Sequence, residues 1–219
     1  MAFDPTYAQY IDHTILKMDA GRATLKRFCD EAKQYHFASV CVIPCNVAYV
    51  AGQLKGTGVK TAAVVGFPLG ANTSAIKAAE AKEAIQNGAD EIDMVMNVAA
   101  LKDGDLDYVL ADMTAVVQAS HPDALVKVIL ETAILTPEEI TTASRLAAEA
   151  GADFVKTSTG FSGGATLEAV RLMKAAVGDR CRIKASTGIN NREICDAFLA
   201  EGASRFGTSK GIKIVEGIE

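Results

Sequence analysis

Residues 154–160 read Phe-Val-Lys-Thr-Ser-Thr-Gly, and this stretch puts Lys156 inside a short β-type run, directly before a polar, glycine-containing turn. An amphipathic helical pattern follows over residues 166–177, so the local order is strand, loop, helix. Parallel α/β proteins carry their chemistry at the carboxyl ends of the strands. Because a lysine is rarely buried without a partner or a chemical role, the pattern indicates a functional Lys156. A lysine that snorkels from an edge strand is the alternative.

The same alternation of strand and helix runs through the whole chain. Strands are predicted at residues 10–16, 38–43, 61–67, 91–97, 125–131, 154–158, 182–186 and 205–208. Helices are predicted at residues 22–36, 46–55, 73–87, 106–120, 137–150, 167–177, 192–200 and 210–216. Eight such units in 219 residues fit an α/β fold, a single-domain (β/α)8 TIM barrel. An open, doubly wound sheet is the runner-up, but no GxGxxG pattern follows the first strand.

The predicted helices carry recognisable start and stop signals. Thr136 and Glu139 form a capping-box pattern around Pro137, which marks the start of one helix. A glycine after a helical pattern favours the left-handed conformation that ends a helix. Three glycines take this position, each followed by alanine and then a strand: Gly88, Gly151 and Gly202.

Composition narrows the classes of function. No linker, charge block or low-complexity stretch divides the chain, so we predict one domain over residues 1–219. The net charge of −5 and the lack of a basic stripe argue against nucleic acid as a partner. No apolar run approaches the ~20 residues that span a membrane, and residues 1–10 lack a signal pattern. These features predict a cytoplasmic protein with no membrane partner.

The cysteines and histidines do not form a metal-binding pattern. The five cysteines are scattered through regular elements, which predicts reduced thiols. His13, His36 and His121 lie far apart in the sequence and form no HxxxH or HExxH set. We therefore predict no metal and no other cofactor.

Charged residues interrupt several predicted strands. Asp93, Lys127, Lys156 and Lys184 lie within apolar runs, and Glu131 follows Lys127 at a spacing of four. Strand side chains alternate between two faces, so Lys127 and Glu131 are predicted to share a face. If these faces point into a barrel, three lysines and at least two carboxylates meet inside one apolar shell.

Such a cluster has a chemical interpretation. Two ammonium groups in a low dielectric cannot both be comfortably charged, so the pKa of one of them falls. A neutral lysine attacks carbonyl carbon and forms a Schiff base, while a carboxylate can carry protons. A buried ion-pair network that merely fills the barrel is the alternative. Cys41 has a simpler interpretation as a small side chain packed in its strand.

Several motifs together resemble one enzyme family. The quoted stretch, with residues 91–95 and 183–186, is similar to the deoxyribose-phosphate aldolases, as are residues 11–14 and 39–44. The likeness runs from about residue 10 to about residue 210, with the motifs in the family's order.

The resemblance implies a metal-free class I aldolase on a (β/α)8 barrel. Such an enzyme reversibly cleaves 2-deoxy-D-ribose 5-phosphate to acetaldehyde and D-glyceraldehyde 3-phosphate. By resemblance, Lys156 is the Schiff-base lysine, Lys184 lowers its pKa, and Asp93 works with Lys184 in proton transfer. The other substrate-binding residues it implies are Asp12, Thr14, Cys41, Lys127 and Thr159, with a phosphate pocket at Gly160, Gly188, Ile189, Gly207 and Ser209.

The chain departs from the family pattern after Lys184. Members often have glycine and arginine where this chain has Thr187 and Asn190. Asn190 supplies no fixed positive charge, so we predict a weaker dependence on the substrate phosphate than in members that keep the arginine.

Three other functions stay open at this point. A class I aldolase acting on a different phosphorylated aldol would keep the barrel and the lysine. A metal-dependent aldolase is disfavoured by the dispersed histidines. A barrel that only binds phosphometabolites would use its lysines to neutralise anions. Helix faces that mix alanine with charge suit either a homodimer contact or water, so a homodimer is an open alternative.

Overall fold

The computed structural model describes residues 4–218, which form a closed barrel of eight parallel strands. Each strand pairs with its neighbour in sequence, and the last strand closes on the first, with Phe206 opposite Ile11. The strands are β1 Ile11–Ile15, β2 Ser39–Val42, β3 Lys60–Val65, β4 Glu91–Val95, β5 Leu125–Ile129, β6 Phe154–Lys156, β7 Arg182–Ser186 and β8 Arg205–Thr208. The predicted (β/α)8 barrel is confirmed, and the open-sheet alternative is wrong.

Helices cover the outside of the barrel. They are α1 Pro5–Ala8, α2 Arg22–Tyr35, α3 Val47–Leu54, α4 Ser74–Gln86, α5 Val98–Lys102, α6 Leu106–Ser120, α7 Pro137–Glu149, α8 Leu167–Val177, α9 Arg192–Ala200 and α10 Gly211–Glu216. The predicted helices are found with ends within one residue. Helices α1 and α5 were not predicted, because four or five residues are too few to show a helical period.

The predicted helix signals act as expected. Thr136 Oγ1 accepts from the N–H of Glu139, and the Glu139 carboxylate accepts from the N–H of Thr136, which completes the capping box. The three glycines predicted to end helices all have positive φ, between 87° and 99°. These residues fix where each helix ends and the next strand begins.

Alternation along the strands separates two cores. Outward side chains such as Ile92, Met94 and Val128 pack beneath the helices in the main hydrophobic core. Inward side chains meet in the barrel, because residues paired across parallel strands point to the same face. Asp93 pairs with Lys127, and Lys156 pairs with Lys184. The barrel interior is therefore the only place where these four charged side chains can meet within residues 4–218.

One predicted face is wrong. Strand β5 ends at Ile129, and Glu131 takes a left-handed conformation with φ of 61°. The left-handed turn breaks the alternation, so Glu131 does not join Lys127. Its carboxylate instead binds Thr159.

No helix within residues 4–218 is long and apolar enough to cross a membrane.

Candidate active site

Asp93, on strand β4, lies at the centre of the buried charges. Its Oδ1 accepts a hydrogen bond from Lys127 Nζ at 2.7 Å. Its Oδ2 accepts from both Lys156 Nζ at 2.8 Å and Lys184 Nζ at 2.7 Å. One carboxylate thus joins the lysines of strands β5, β6 and β7, all of them buried.

A second layer of charge surrounds this centre. Lys184 Nζ lies 2.5 Å from Asp12 Oδ2, and Lys127 Nζ lies 2.5 Å from Glu91 Oε2. Arg205, at the start of β8, donates to Asp12 Oδ1 at 2.6 Å and also reaches Glu91. We refer below to these seven residues as the charged cluster: Asp12, Glu91, Asp93, Lys127, Lys156, Lys184 and Arg205.

The cations of the charged cluster outnumber its anions. Four basic side chains face three carboxylates, so full ionisation leaves one positive charge in a buried site. A buried excess charge is costly, and a group whose proton can leave will lose it most readily. Within residues 4–218, Lys156 has one carboxylate partner, Asp93, whereas Lys184 and Lys127 each have more than one.

The pKa shifts follow this imbalance. Burial lowers the pKa of Lys156; Asp93 opposes the shift, and the nearby Lys184 ammonium adds to it. Burial also acts to lower the pKa of Lys184, but Asp12 and Asp93 outweigh it, so the net shift is upward. For Asp93, burial acts upward, and the three lysines reverse it and hold its pKa well below its usual range. The geometry therefore distinguishes one depressed amine, Lys156, beside one firmly charged ammonium, Lys184.

Strands β6 and β7 hold the loop that follows Lys156. Thr157 Oγ1 accepts from the N–H of Ser186 at 3.1 Å, and Ser186 Oγ donates to the Ser158 carbonyl at 2.7 Å. Thr159 is buried, and its hydroxyl and N–H both bind the carboxylate of Glu131. The hydroxyl hydrogen of Thr159 is thus already engaged, so Thr159 can offer a substrate only a lone pair.

The opposite side of the barrel interior is apolar. Cys41, Ala62 and Val64, on β2 and β3, are fully buried in a cluster of their own. Leu16, Ile43 and Phe67 pack against them; we call these six residues the apolar wall. Burial raises the pKa of the Cys41 thiol to about 11, with Asp93 adding to the shift. Cys41 is therefore a neutral thiol near pH 7.

A small polar cavity of about 250 Å³ lies at the carboxyl ends of β7 and β8. Thr14 lines it together with four of the residues that the resemblance assigns to a phosphate pocket: Gly188, Ile189, Gly207 and Ser209. Within residues 4–218, the N–H groups of Gly188, Ile189 and Ser209 donate to no other atom. Free backbone N–H groups gathered in a turn are suited to binding an anion.

Thr187 gives this polar cavity an unusual wall. It is a β-branched residue with φ of 68°, a left-handed conformation that normally favours glycine. Its side chain also lies close to Gly160, where an added Cβ would come 2.9 Å from Thr187 Oγ1. Gly160 therefore borders the polar cavity through Thr187 without lining it.

A larger cavity of about 970 Å³ opens beside the polar one. Both include Thr14 and Ser209, so they are adjacent. Leu16, Ile43 and Phe67 continue into it from the apolar wall, and Phe161 contacts Phe67 edge to face with ring centroids 5.6 Å apart. The mouth of the barrel thus has one polar and one apolar compartment.

The structure brings together most of the predicted site residues. Asp12, Asp93, Lys127, Lys156 and Lys184 join in the charged cluster, with Cys41 facing it. The predicted residues that line the polar cavity are Thr14, Gly188, Ile189, Gly207 and Ser209.

Two cluster members, Glu91 and Arg205, were not predicted. Each lies at the start of a strand, where a charged side chain usually faces water. The sequence nonetheless contained a signal for both. Glu91 precedes Asp93 by two residues, so the alternation that puts Asp93 inside the barrel also puts Glu91 there. Arg205 likewise precedes Gly207 by two residues.

Residues 4–218 contain no group of three or more His, Cys, Asp and Glu side chains placed to hold a metal ion. The carboxylates of the charged cluster bind basic side chains instead.

Comparison with known proteins identifies the family. The sequence pattern of the DeoC/LacD family aldolases matches residues 6–215. The chain belongs to the DeoC/LacD family of aldolases. The resemblance predicted from the motifs is confirmed, and the family makes the protein a carbon–carbon lyase of class I.

Individual relatives agree with this family over nearly the whole chain. The deoxyribose-phosphate aldolase of Staphylococcus carnosus (strain TM300) is 55% identical over 214 residues, which are 97% of each chain. That of Streptococcus equi subsp. zooepidemicus is 57% identical over 210 residues, 95% of each chain. A tetrameric deoxyribose phosphate aldolase structure from Aeropyrum pernix superposes with a TM-score of 0.90 at 29% identity, covering 97% of this chain and 90% of that one.

Proposed function

We propose that this DeoC/LacD aldolase reversibly cleaves 2-deoxy-D-ribose 5-phosphate to acetaldehyde and D-glyceraldehyde 3-phosphate through a Schiff base on Lys156. The observation that carries the assignment to Lys156 is the charge imbalance of the cluster, which leaves this amine with one carboxylate and a lowered pKa. The substrate is supported by relatives of 55% and 57% identity that carry this activity in their names.

Schiff-base formation comes first. The neutral amine of Lys156 adds to the C1 aldehyde, and loss of water from the carbinolamine leaves an iminium. The iminium restores to the site the positive charge that the neutral amine had lacked. Asp93 Oδ2, 2.8 Å from Lys156 Nζ, is placed to stabilise that charge.

Carbon–carbon cleavage follows. A base takes the C3 hydroxyl proton, the C2–C3 bond breaks, and its electron pair flows into the iminium to give an enamine. We assign the proton relay to Asp93 and Lys184, which share Oδ2 of Asp93, with a water between them and the substrate. The same relay protonates the enamine carbon, and hydrolysis then releases acetaldehyde from Lys156.

The phosphate end of the substrate is assigned to the polar cavity. Its free N–H groups at Gly188, Ile189 and Ser209 can donate to phosphate oxygens. The cavity is next to the mouth of the barrel and shares Thr14 with the larger compartment. A phosphate held there leaves the sugar chain free to reach down toward Lys156.

Borohydride trapping with acetaldehyde tests the mechanism. We expect a reduced two-carbon adduct on Lys156, located by intact-mass and peptide analysis and missing from Lys156→Ala. An adduct on Lys184 would exchange the roles of the two lysines. No adduct in an active enzyme would overturn the Schiff-base proposal.

Product analysis tests the substrate. A class I aldolase of another phosphorylated aldol would also form an adduct but would give other products. We expect acetaldehyde and D-glyceraldehyde 3-phosphate as the products from 2-deoxy-D-ribose 5-phosphate, and no turnover of this sugar phosphate would overturn the assignment.

Five further properties are part of the proposal. The reaction needs no metal, so full activity after dialysis against chelator is the expected result. Residues 1–219 act as one domain, in the cytoplasm, in the catabolism of deoxyribose phosphate. For the assembly we propose a homodimer, to be measured by light scattering.

A further inference from the structure

Glu131 is a buried carboxylate that the proposed mechanism does not use. Within residues 4–218, three non-glycine residues have positive φ: His36, Glu131 and Thr187. His36 simply ends helix α2. Glu131 and Thr187 lie instead at the carboxyl edge of the barrel, on either side of the loop that follows Lys156. Strained backbone that persists at such an edge points to a local role.

Within residues 4–218, the carboxylate of Glu131 accepts hydrogen bonds from one residue only. Its carboxylate accepts from the N–H of Thr159 at 3.3 Å and from the Thr159 hydroxyl. Only 4% of the surface of Glu131 is exposed, and yet its carboxylate forms no ion pair among the described residues. A buried carboxylate needs hydrogen bonds in place of a cation. Thr159 therefore supplies the compensation, and the two residues hold each other in place.

Thr159 also holds the backbone of the residues that follow it. Its Oγ1 accepts from the N–H of Phe161 at 3.1 Å, so Glu131, Thr159 and Phe161 form a continuous series of hydrogen bonds. Gly160 lies between the last two, with φ of 95°. The carboxylate of Glu131 thus sets the backbone of three consecutive residues.

Those three residues lie beside both compartments of the mouth. Phe161 lines the larger, apolar cavity. Gly160 lies beside Thr187, since a Cβ at Gly160 would come 2.9 Å from the Thr187 hydroxyl, and Thr187 lines the polar cavity. Glu131 itself lines neither cavity. It lies behind the segment 159–161, which borders the polar cavity through Thr187 and the apolar cavity through Phe161.

We propose that Glu131 is a positioning residue, which fixes the Thr159–Phe161 backbone and through it the affinity for the whole phosphorylated substrate. The inference rests on the aldolase activity proposed above. Glu131 takes no part in Schiff-base chemistry, because its carboxylate touches no member of the charged cluster. Loss of Glu131 should therefore weaken binding of 2-deoxy-D-ribose 5-phosphate more than it slows reaction at Lys156.

The test compares Glu131→Ala with Glu131→Gln and a matched control. For Glu131→Ala we expect KM for 2-deoxy-D-ribose 5-phosphate to rise about tenfold or more, because buried donors on Thr159 lose their partner. We expect kcat and the rate of borohydride trapping with acetaldehyde to stay within about threefold. Glu131→Gln keeps the size and one acceptor, and we expect it to restore most of the lost affinity.

Glu139→Ala is the control. Glu139 also accepts from the backbone N–H of a threonine, Thr136, but it caps helix α7 and lines neither cavity of the mouth. We expect Glu139→Ala to lower the melting temperature without raising KM for 2-deoxy-D-ribose 5-phosphate.

Three results would overturn the inference. One is an unchanged KM in Glu131→Ala. Another is a KM rise of the same size in Glu139→Ala. The third is a parallel loss of kcat, trapping rate and melting temperature in both Glu131 variants, which would make the role structural only. Absence of turnover in the unmodified enzyme would instead refute the proposed function, so the two failures are distinguishable.

Discussion

The two sides of the barrel interior differ in chemistry. Strands β2 and β3 present the small, uncharged Cys41, Ala62 and Val64, whereas the charged cluster comes from β1 and β4–β8. Both sides are buried, except that Arg205 is partly exposed. Burial alone therefore does not make a reactive amine; the charged side does so by placing one more cation than anion around a shared carboxylate.

The apolar side contributes in another way. Side chains without charge or strong dipoles keep the local dielectric low, and a low dielectric strengthens every interaction in the charged cluster. They also offer the Lys156 ammonium no alternative partner. The comparison suggests that changes on the charged side alter chemistry, while changes on the apolar side alter mainly stability.

The strongest test removes the shared carboxylate. Asp93→Asn leaves three lysines without the anion that joins them, so we expect kcat to fall roughly 10³-fold or more and the protein to lose about 3 kcal/mol or more of unfolding free energy. Retro-aldol kinetics and denaturant unfolding measure the two effects. A variant with kcat within tenfold of the unmodified enzyme would contradict the central role of Asp93.

The second test changes the pKa of the nucleophile. The reaction needs neutral Lys156, so kcat/KM should rise with pH through the pKa of Lys156 and then level off. Lys184→Met removes a nearby cation and leaves Asp93 and Asp12 less neutralised, so the pKa of Lys156 rises. We expect the acid limb to move about one pH unit or more toward alkaline pH, with residual kcat about 10²-fold lower. An acid limb that stays in place would show that Lys184 does not set the pKa of Lys156.

A third test concerns the polar cavity. We expect Thr187→Gly with Asn190→Arg to raise the preference for 2-deoxy-D-ribose 5-phosphate over 2-deoxy-D-ribose about tenfold, because arginine adds a fixed positive charge. Thr187→Gly alone relieves the left-handed strain and should stabilise the protein by about 1 kcal/mol. The ratio of the two kcat/KM values and the unfolding free energy are the measurements. A preference that is already as large in the unmodified enzyme as in members with arginine would contradict the prediction.

The smallest effect on activity is expected on the apolar side. Val64→Ala removes two buried methyl groups and should cost about 2 kcal/mol of stability, while kcat changes by less than about threefold. Urea unfolding and steady-state kinetics check both numbers. A loss of kcat as large as in Lys184→Met would abolish the distinction between the two sides.

Local signals made most of the fold predictable. The capping box at Thr136, the helix-ending glycines and the eight apolar runs each depend on neighbours within a few residues. The period of two in a strand gave the faces that carry Asp93, Lys127, Lys156 and Lys184, and a closed barrel brings these side chains together if those faces point inward. That period also placed these residues near one another before any contact was known.

The remaining features depend on contacts between distant parts of the chain. The alternation of strand side chains did not predict the direction of Glu131, because the left-handed backbone of this residue turns its side chain toward Thr159. Arg205 looks like an ordinary strand end until it is seen 2.6 Å from Asp12. The strained, left-handed backbone of Thr187 could not be predicted from the sequence, because threonine has no preference for that conformation.

The charged cluster also ties the ends of the chain together. Asp12 and Arg205 are 193 positions apart, yet Arg205 binds Asp12, and Asp12 binds Lys184, the ammonium that helps to lower the pKa of Lys156. A refolding chain can gain helices early, but its nucleophile matures only when the first and last strands have met. The time at which Lys156 becomes trappable with aldehyde and borohydride during refolding would thus report when the barrel closes. The measurement uses the same covalent chemistry as the mature enzyme.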